Sequence, residues 1–126
     1  MGGGEAVIAG IGCRRACPAE DIVALVRQAE AQTGVAVTAL AAPAAKSGEH
    51  GLHAAAAALG VKLILVAQDA LAAAQPRCVT RSACAERTLG VASVAEGCAL
   101  AAAGEGARLV LARIASARAT CAVAGS

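Results

Sequence analysis

The chain has 126 residues, a formal net charge of +2 and no Phe, Tyr or Trp. This length is typical of one domain, so we predict that residues 1–126 form a single domain. The mild charge and the missing aromatic rings argue against nucleic acid, whose binders usually present a basic surface or rings that stack on bases. Hydrophobic residues make up 58% of the chain, but no uninterrupted apolar run reaches the ~20 residues of a membrane span. We therefore expect neither nucleic acid nor a membrane as a partner.

The amino terminus has no basic region followed by an apolar segment, so we expect no secretory signal and a cytoplasmic location. In that reducing compartment the six cysteines would remain thiols. Three of them lie in or beside apolar segments and are predicted to pack in the core: Cys78, Cys98 and Cys121. The other spacings do not match a zinc ribbon, and we expect no metal site and no cofactor.

A strand, a glycine-containing turn and a helix open the chain. Residues 7–11 are apolar and predict a strand, and residues 18–32 place apolar side chains at helical spacing until Gly34. The turn between them contains Gly10 and Gly12, and it leads into Cys13, Arg14 and Arg15.

The middle of the chain repeats the alternation. Residues 35–40 predict a second strand, residues 43–51 a polar loop, and residues 52–59 an alanine-rich helix that ends at Gly60. Residues 61–66 follow as a third strand, and residues 69–74 as a short helical turn.

A basic, irregular stretch begins at Pro76, and the last helix begins at Ser93. Glu96 stands three residues later, which predicts a capping box at the start of this helix. The helix is predicted to end near Gly104 or Gly106. Residues 109–112 and 120–124 predict two antiparallel closing strands. The pattern favours an α/β fold, a three-layer α/β/α arrangement with a mixed, largely parallel sheet of about five strands.

Candidate ligand-binding residues follow the first strand, where open α/β sheets commonly place ligands. Gly10 and Gly12 permit close approach of an anion to the backbone, and the next helix start offers N–H groups. Arg14 and Arg15 could bind carboxylates in a bidentate manner, and Cys13 lies beside them. The alternative is that the glycines shape a corner and the arginines are solvated.

The loop after the second strand would lie on the same edge and contributes Lys46, Glu49 and His50. Glu49 and His50 could exchange protons with a substrate at neutral pH. A solvated loop that caps the second helix explains these residues equally well. A metal held by His50, His53 and a cysteine is a weaker alternative, because nothing fixes the remaining ligands.

A third polar segment, residues 80–87, contains Ser82 and could cover the ligand edge. Ser93 and Glu96 are better explained by helix capping than by catalysis. The sequence shows no Ser/His/Asp order, close carboxylate pair or activated cysteine, so the catalytic residues remain unknown and a non-catalytic or accessory role is favoured.

Three ordered motifs resemble the CobE/CbiG C-terminal-domain family of cobalamin (vitamin B12) biosynthesis. They are G-I-G-C-R-R at residues 10–15, K-S-G-E-H-G-L at residues 46–52 and G-V-A-S-V-A-E-G-C-A-L at residues 90–100. The resemblance covers nearly the whole chain, which is similar only to the C-terminal part of the longer CbiG proteins. Where relatives often have Gly, Asn or Asp followed by Thr, Val or Cys, this chain has Ala16 and Cys17.

The resemblance implies a tetrapyrrole ligand of porphyrin metabolism, a precorrin or other corrinoid intermediate ringed by acetate and propionate groups. Arg14, Arg15 and Lys46 suit those carboxylates. It implies a carrier, stabiliser or accessory factor. The alternatives are an enzyme that acts on the macrocycle, such as a precorrin hydrolase, and an interaction module that docks on pathway enzymes such as methyltransferases.

Overall fold

A computed structural model describes residues 6–79, 93–104 and 106–125. In these residues five strands form one sheet in the order β3-β2-β1-β5-β4. They are β1 (Val7–Cys13), β2 (Ala39–Pro43), β3 (Lys62–Val66), β4 (Arg108–Ala115) and β5 (Ala119–Gly125). The same described residues also form four α-helices: α1 (Ala19–Thr33), α2 (His50–Leu59), α3 (Gln68–Ala74) and α4 (Val94–Ala103).

The predicted mixed, largely parallel sheet is confirmed. β1, β2 and β3 pair in parallel, whereas β5 is antiparallel to both β1 and β4. Among the five strands of the described residues, four therefore share one direction and β5 runs opposite to them. The hairpin arises because the short connection between β4 and β5 cannot make a parallel crossover.

Within the part of the chain that the structure describes, two helices cover each face of the sheet, which confirms the three-layer arrangement. On one face, α1 and α2 bury side chains such as Ile22, Leu25 and Leu52 against Ile11 and Leu40. On the other face, α3 and α4 pack over the opposite side chains of the same strands, including Ile8 and Ala41. Burial on both faces explains why β1 and β2 are apolar almost throughout.

The second strand lies further along the chain than the sequence pattern predicts. Residues 35–38 precede β2, and the Val37 N–H donates to Glu30 Oε2 at 2.8 Å instead of joining a ladder. The Thr38 hydroxyl accepts a hydrogen bond from the Val7 N–H and donates one to the Val7 carbonyl, at the start of β1. The strand predicted at residues 35–40 is therefore wrong at its start, because β2 begins at Ala39. The small residues of β2 fit between the neighbouring strands β1 and β3.

Helix α2 begins at His50, two residues earlier than predicted, after a short 3-10 helix at Ala44–Lys46. The predicted stops are confirmed, because Gly34 and Gly60 both adopt the left-handed conformation at φ 75° and 72°. None of the helices in the described residues has the length and apolar character needed to span a membrane.

Helix α4 crosses β1 at very close range. A Cβ atom at Gly10 would lie 1.9 Å from the Ala95 carbonyl oxygen and 2.6 Å from the Ala99 nitrogen. Only glycine at this position lets the two backbones approach so closely. At this crossing, the small residues Gly10, Ala95 and Ala99 let the helix pack directly on the strand.

Candidate functional site

Three connecting segments meet at one edge of the sheet, which we call the carboxyl edge. They are the turn after β1 (residues 14–18), the segment after β2 (residues 44–49) and the β4–β5 turn (residues 116–118). As predicted, the segments after β1 and after β2 lie next to each other at this edge. The third arrives there because β4 runs in the direction of β1, with Cys13 opposite Ala119 in the β1–β5 register.

The turn after β1 is held by hydrogen bonds on both sides. The Cys17 N–H donates to the Arg14 carbonyl at 3.2 Å, and the Arg14 N–H donates to the Arg118 carbonyl at 3.0 Å. Ala16 is the third residue of this turn and has φ 61°. A type II turn requires such a left-handed residue, and Gly or Asn is favoured there. This explains why the resemblance expects Gly, Asn or Asp at a position that this chain fills with alanine.

Glu49 fixes the turn from the neighbouring segment. Its Oε1 accepts a hydrogen bond from the Ala16 N–H at 2.8 Å. Gly51 lies directly beneath the turn, since a Cβ there would come within 2.1 Å of the Cys17 carbonyl oxygen. Glu49 and the start of α2 therefore support the loop that carries the arginines, which is a positioning role that sequence reasoning did not assign.

Four basic side chains belong to the three segments of the carboxyl edge: Arg14, Arg15, Lys46 and Arg118. Arg14 and Arg15 are exposed, and within the described residues no carboxylate lies within ion-pair distance of either. Lys46 is half-buried and lies close enough to Cys13 to act on its thiol. At this edge, Arg14 and Arg15 therefore carry positive charge that no carboxylate of the described residues pairs with.

Arg118 is a basic residue of this edge that sequence reasoning missed. Its guanidinium Nε lies 4.0 Å from Asp21 Oδ2 on α1, and both side chains are substantially exposed. The signal was available, because an antiparallel closing hairpin beside β1 must bring its turn to the end at which β1 finishes.

The two glycines of the predicted turn lie inside β1, so the expectation of a glycine turn is wrong. Gly10 is paired with Ala41 on one side and Ala122 on the other. Neither Gly10 nor Gly12 has positive φ. Packing accounts for both, because a Cβ at Gly12 would meet Thr120 Oγ1 at 2.6 Å. The ligand contact predicted for them has no support in this geometry.

Cys13 and Cys17 face the core side of the edge. Burial raises the pKa of the Cys13 thiol to about 11, and the neighbouring Lys46 ammonium opposes that rise only in part. Burial, followed by the nearby Asp21 carboxylate, also raises the pKa of Cys17. A raised pKa keeps both thiols protonated at neutral pH, so neither is an activated nucleophile.

The predicted capping box at the start of α4 is half correct. Ser93 Oγ accepts a hydrogen bond from the Glu96 N–H at 3.3 Å. The Ser93 N–H, however, donates to Gln75 Oε1 at 3.0 Å rather than to Glu96. The Glu96 carboxylate is fully buried and accepts from the backbone N–H groups of Val79, at 2.8 Å, and Arg113, at 3.0 Å. It joins the segment after α3 to β4.

The two histidines, His50 and His53, have different surroundings. His53 Nε2 is 2.7 Å from the Ser47 carbonyl, whereas His50 is exposed at the first turn of α2. Among the residues with described positions, no group of three or more His, Cys, Asp or Glu side chains could hold a metal ion. Ser82, with the rest of the predicted covering segment 80–87, lies outside the described residues. Its ligand contact stays a prediction.

The fold and this edge define an α/β protein whose basic edge lies at the end of the first strand. The family model described as cobalamin synthesis G C-terminus matches residues 7–124. The chain belongs to this family, and the resemblance seen in the three motifs is confirmed.

Individual relatives agree with this assignment. Protein CobE of Sinorhizobium sp. is 36% identical over 125 residues, which cover 97% of this chain and 81% of that protein. The crystal structure of CobE, described as a protein from the cobalamin (vitamin B12) biosynthetic pathway, matches with a TM-score of 0.92 and 38% identity over 98% of this chain and 92% of that one. The cobalamin biosynthesis protein chiG of Agrobacterium tumefaciens matches with a TM-score of 0.76 and 38% identity, covering 94% and 97%.

Proposed function

We propose that this cobalamin biosynthesis protein binds a precorrin-type tetrapyrrole in the cytoplasm and acts as a carrier, stabiliser or accessory factor. The observation that supports the proposal is the excess of positive charge at the carboxyl edge, where Arg14 and Arg15 have no ion-pair partner among the described residues. Arg14 and Arg15 are exposed on a turn that hydrogen bonds hold at both ends. Because the backbone of the turn is already ordered, binding a carboxylate through paired hydrogen bonds requires ordering only the arginine side chains.

The ligand class follows from the number and spread of these charges. The cations come from three chain segments along one edge, so they suit a ligand with several separate carboxylates better than a single small anion. Precorrin intermediates carry acetate and propionate groups around a large ring, and the family assignment makes them the natural candidates. Pathway methyltransferases would then be partners that deliver or receive the ligand.

The enzyme alternative has less support. It needs Glu49 or His50 as an acid or base, yet the Glu49 carboxylate already accepts the Ala16 N–H. His50 is exposed to solvent, which does not provide the water-excluded site that favours proton transfer in most enzymes. We therefore assign Glu49 the role of positioning the arginine turn.

A titration with hydrogenobyrinic acid, a corrinoid with free carboxylates, tests the proposal. We expect binding by the wild-type protein, followed by absorbance and calorimetry, and a loss of ~100-fold in affinity in the double variant Arg14→Ala with Arg15→Ala. The affinity should also fall as salt is raised.

The matched control removes two cations from the opposite edge of the sheet. Arg108 and Lys62 are exposed at the first residues of β4 and β3. Arg108→Ala with Lys62→Ala should keep the wild-type affinity while losing the same formal charge. No binding by the wild-type protein, or equal losses in the two double variants, would contradict the proposal.

A further inference from the structure

Arg118 lies beside the turn that carries Arg14 and Arg15. Its carbonyl oxygen accepts the Arg14 N–H at 3.0 Å, so the backbone of the β4–β5 turn is in direct contact with the turn that carries Arg14 and Arg15. Its guanidinium group also lies close enough to Cys17 to lower the pKa of that thiol, against the larger effect of burial. The Arg118 side chain therefore lies beside the first turn of α1 and the turn after β1.

The one ion pair of Arg118 in the described residues is weak. Its Nε lies 4.0 Å from Asp21 Oδ2, and the two side chains are 59% and 36% exposed. Exposed pairs of this kind contribute little to stability. No hydrogen bond within the described residues is made by the two terminal guanidinium nitrogens, which form the fork that binds a carboxylate in a bidentate manner. Asp21 thus restrains Arg118 weakly, and the guanidinium group stays open to solvent.

We propose that Arg118 binds a carboxylate of the ligand together with Arg14 and Arg15, and that Asp21 competes with the ligand for it. The inference rests on the proposed function, since it names a further residue of the same site. Asp21 acts as an internal carboxylate that occupies the guanidinium when the edge is empty. A ligand carboxylate displaces it, and the displaced Asp21 returns to solvent at little cost because it is already exposed.

The competition predicts effects of opposite sign for the two partners of the ion pair. Arg118→Ala should weaken binding of hydrogenobyrinic acid by ~10-fold, since a charge-assisted hydrogen bond is lost. Asp21→Asn should strengthen it by ~2–3-fold, because the amide keeps the shape of the side chain and removes the competing charge. A purely structural role for the pair would make both variants weaker or leave both unchanged.

The experiment is a calorimetric titration of the wild-type, Arg118→Ala, Asp21→Asn and Arg108→Ala proteins with hydrogenobyrinic acid, with thermal melts to establish that each variant is folded. Arg108→Ala should bind as the wild type does. Wild-type binding that is lost in Arg14→Ala with Arg15→Ala but unchanged in Arg118→Ala would overturn this inference and leave the proposed function intact. A wild-type protein that does not bind would overturn both. Weaker binding in Asp21→Asn would overturn the competition.

Discussion

Ala16 shows how one residue stores strain beside the candidate site. It adopts φ 61° and donates its N–H to Glu49. A left-handed conformation costs an L-residue other than Gly, Asn or Asp about 1–2 kcal/mol. The turn nevertheless forms, because hydrogen bonds hold it from both sides. The Glu49 carboxylate accepts the Ala16 N–H, and the Arg118 carbonyl accepts the Arg14 N–H.

Ala16→Gly should therefore stabilise the protein. We expect the free energy of unfolding in urea to rise by roughly 1 kcal/mol, because the relief of the left-handed strain exceeds the entropy that glycine adds to the unfolded chain. Ala36→Gly is the matched control, since Ala36 is exposed and has no positive φ. That change should lower the stability slightly. A loss of stability in both variants would show that Ala16 is not strained.

Glu96 is a buried carboxylate whose oxygens accept two backbone N–H groups from different parts of the chain. Glu96→Gln keeps the size of the side chain but replaces one acceptor oxygen with an NH₂ donor, which would face a backbone N–H. We expect a loss of about 2–3 kcal/mol in the free energy of unfolding. Glu20→Gln, on the exposed first turn of α1, should change it by less than about 0.5 kcal/mol. Equal, small effects would contradict the role given to Glu96.

At the scale of elements, the packing of α4 on β1 depends on the small size of Gly10. Gly10→Ala would place a Cβ 1.9 Å from the Ala95 carbonyl oxygen, which is backbone and cannot move aside cheaply. We expect a loss of about 3 kcal/mol in the free energy of unfolding, without any ligand present.

Gly48→Ala provides the comparison for this prediction, because a Cβ at Gly48 would meet no atom within 4 Å. It should leave the denaturation midpoint nearly unchanged. If Gly10→Ala were equally harmless in the free protein and reduced only ligand binding, the original interpretation of Gly10 as a ligand-binding residue would be restored.

Most elements could be predicted because their signals are local. The apolar spacing of α1, the left-handed glycines after α1 and α2, and the short connection between β4 and β5 each act over a few residues. The start of β2 could not be found in this way. Its position depends on which N–H groups Glu30 and Val7 bind, and those contacts come from elsewhere in the fold.

For the candidate site, the sequence predicted which segments lie together but not the contacts between them. Parallel strands bring their carboxyl ends together, so the meeting of the Arg14 and Lys46 segments followed from the alternating pattern. The support that Glu49 gives to Ala16 and the partners of Glu96 could not be foreseen, because each is a contact between distant side chain and backbone. Arg118 was missed although the hairpin topology pointed to it.

For the molecule as a whole, the buried thiols predict a loss of stability at high pH. Burial raises the pKa of Cys98 to about 12 and that of Cys121 to about 12, from 9.0 in the unfolded chain. Between these values the unfolded chain releases protons that the folded protein retains. Stability is therefore complete below about pH 9 and decreases as pH rises toward 12.

The measurement is the free energy of unfolding between pH 8 and pH 11 for the wild type, Cys98→Ala and Cys121→Ala. Each substitution should make the alkaline decline shallower, by up to about 1.4 kcal/mol per pH unit. Identical slopes in all three proteins would contradict the assignment. Since the chain has no tyrosine, fewer other groups titrate in this range.

Binding of a polycarboxylate tetrapyrrole at the carboxyl edge can be located residue by residue from amide chemical shifts in NMR spectra. On addition of hydrogenobyrinic acid to the labelled protein, we expect shifts concentrated at residues 13–17, 44–50 and 116–119, with residues 59–62 and 106–108 at the opposite edge unchanged. Shifts concentrated at the opposite edge, or none at saturating ligand, would contradict it.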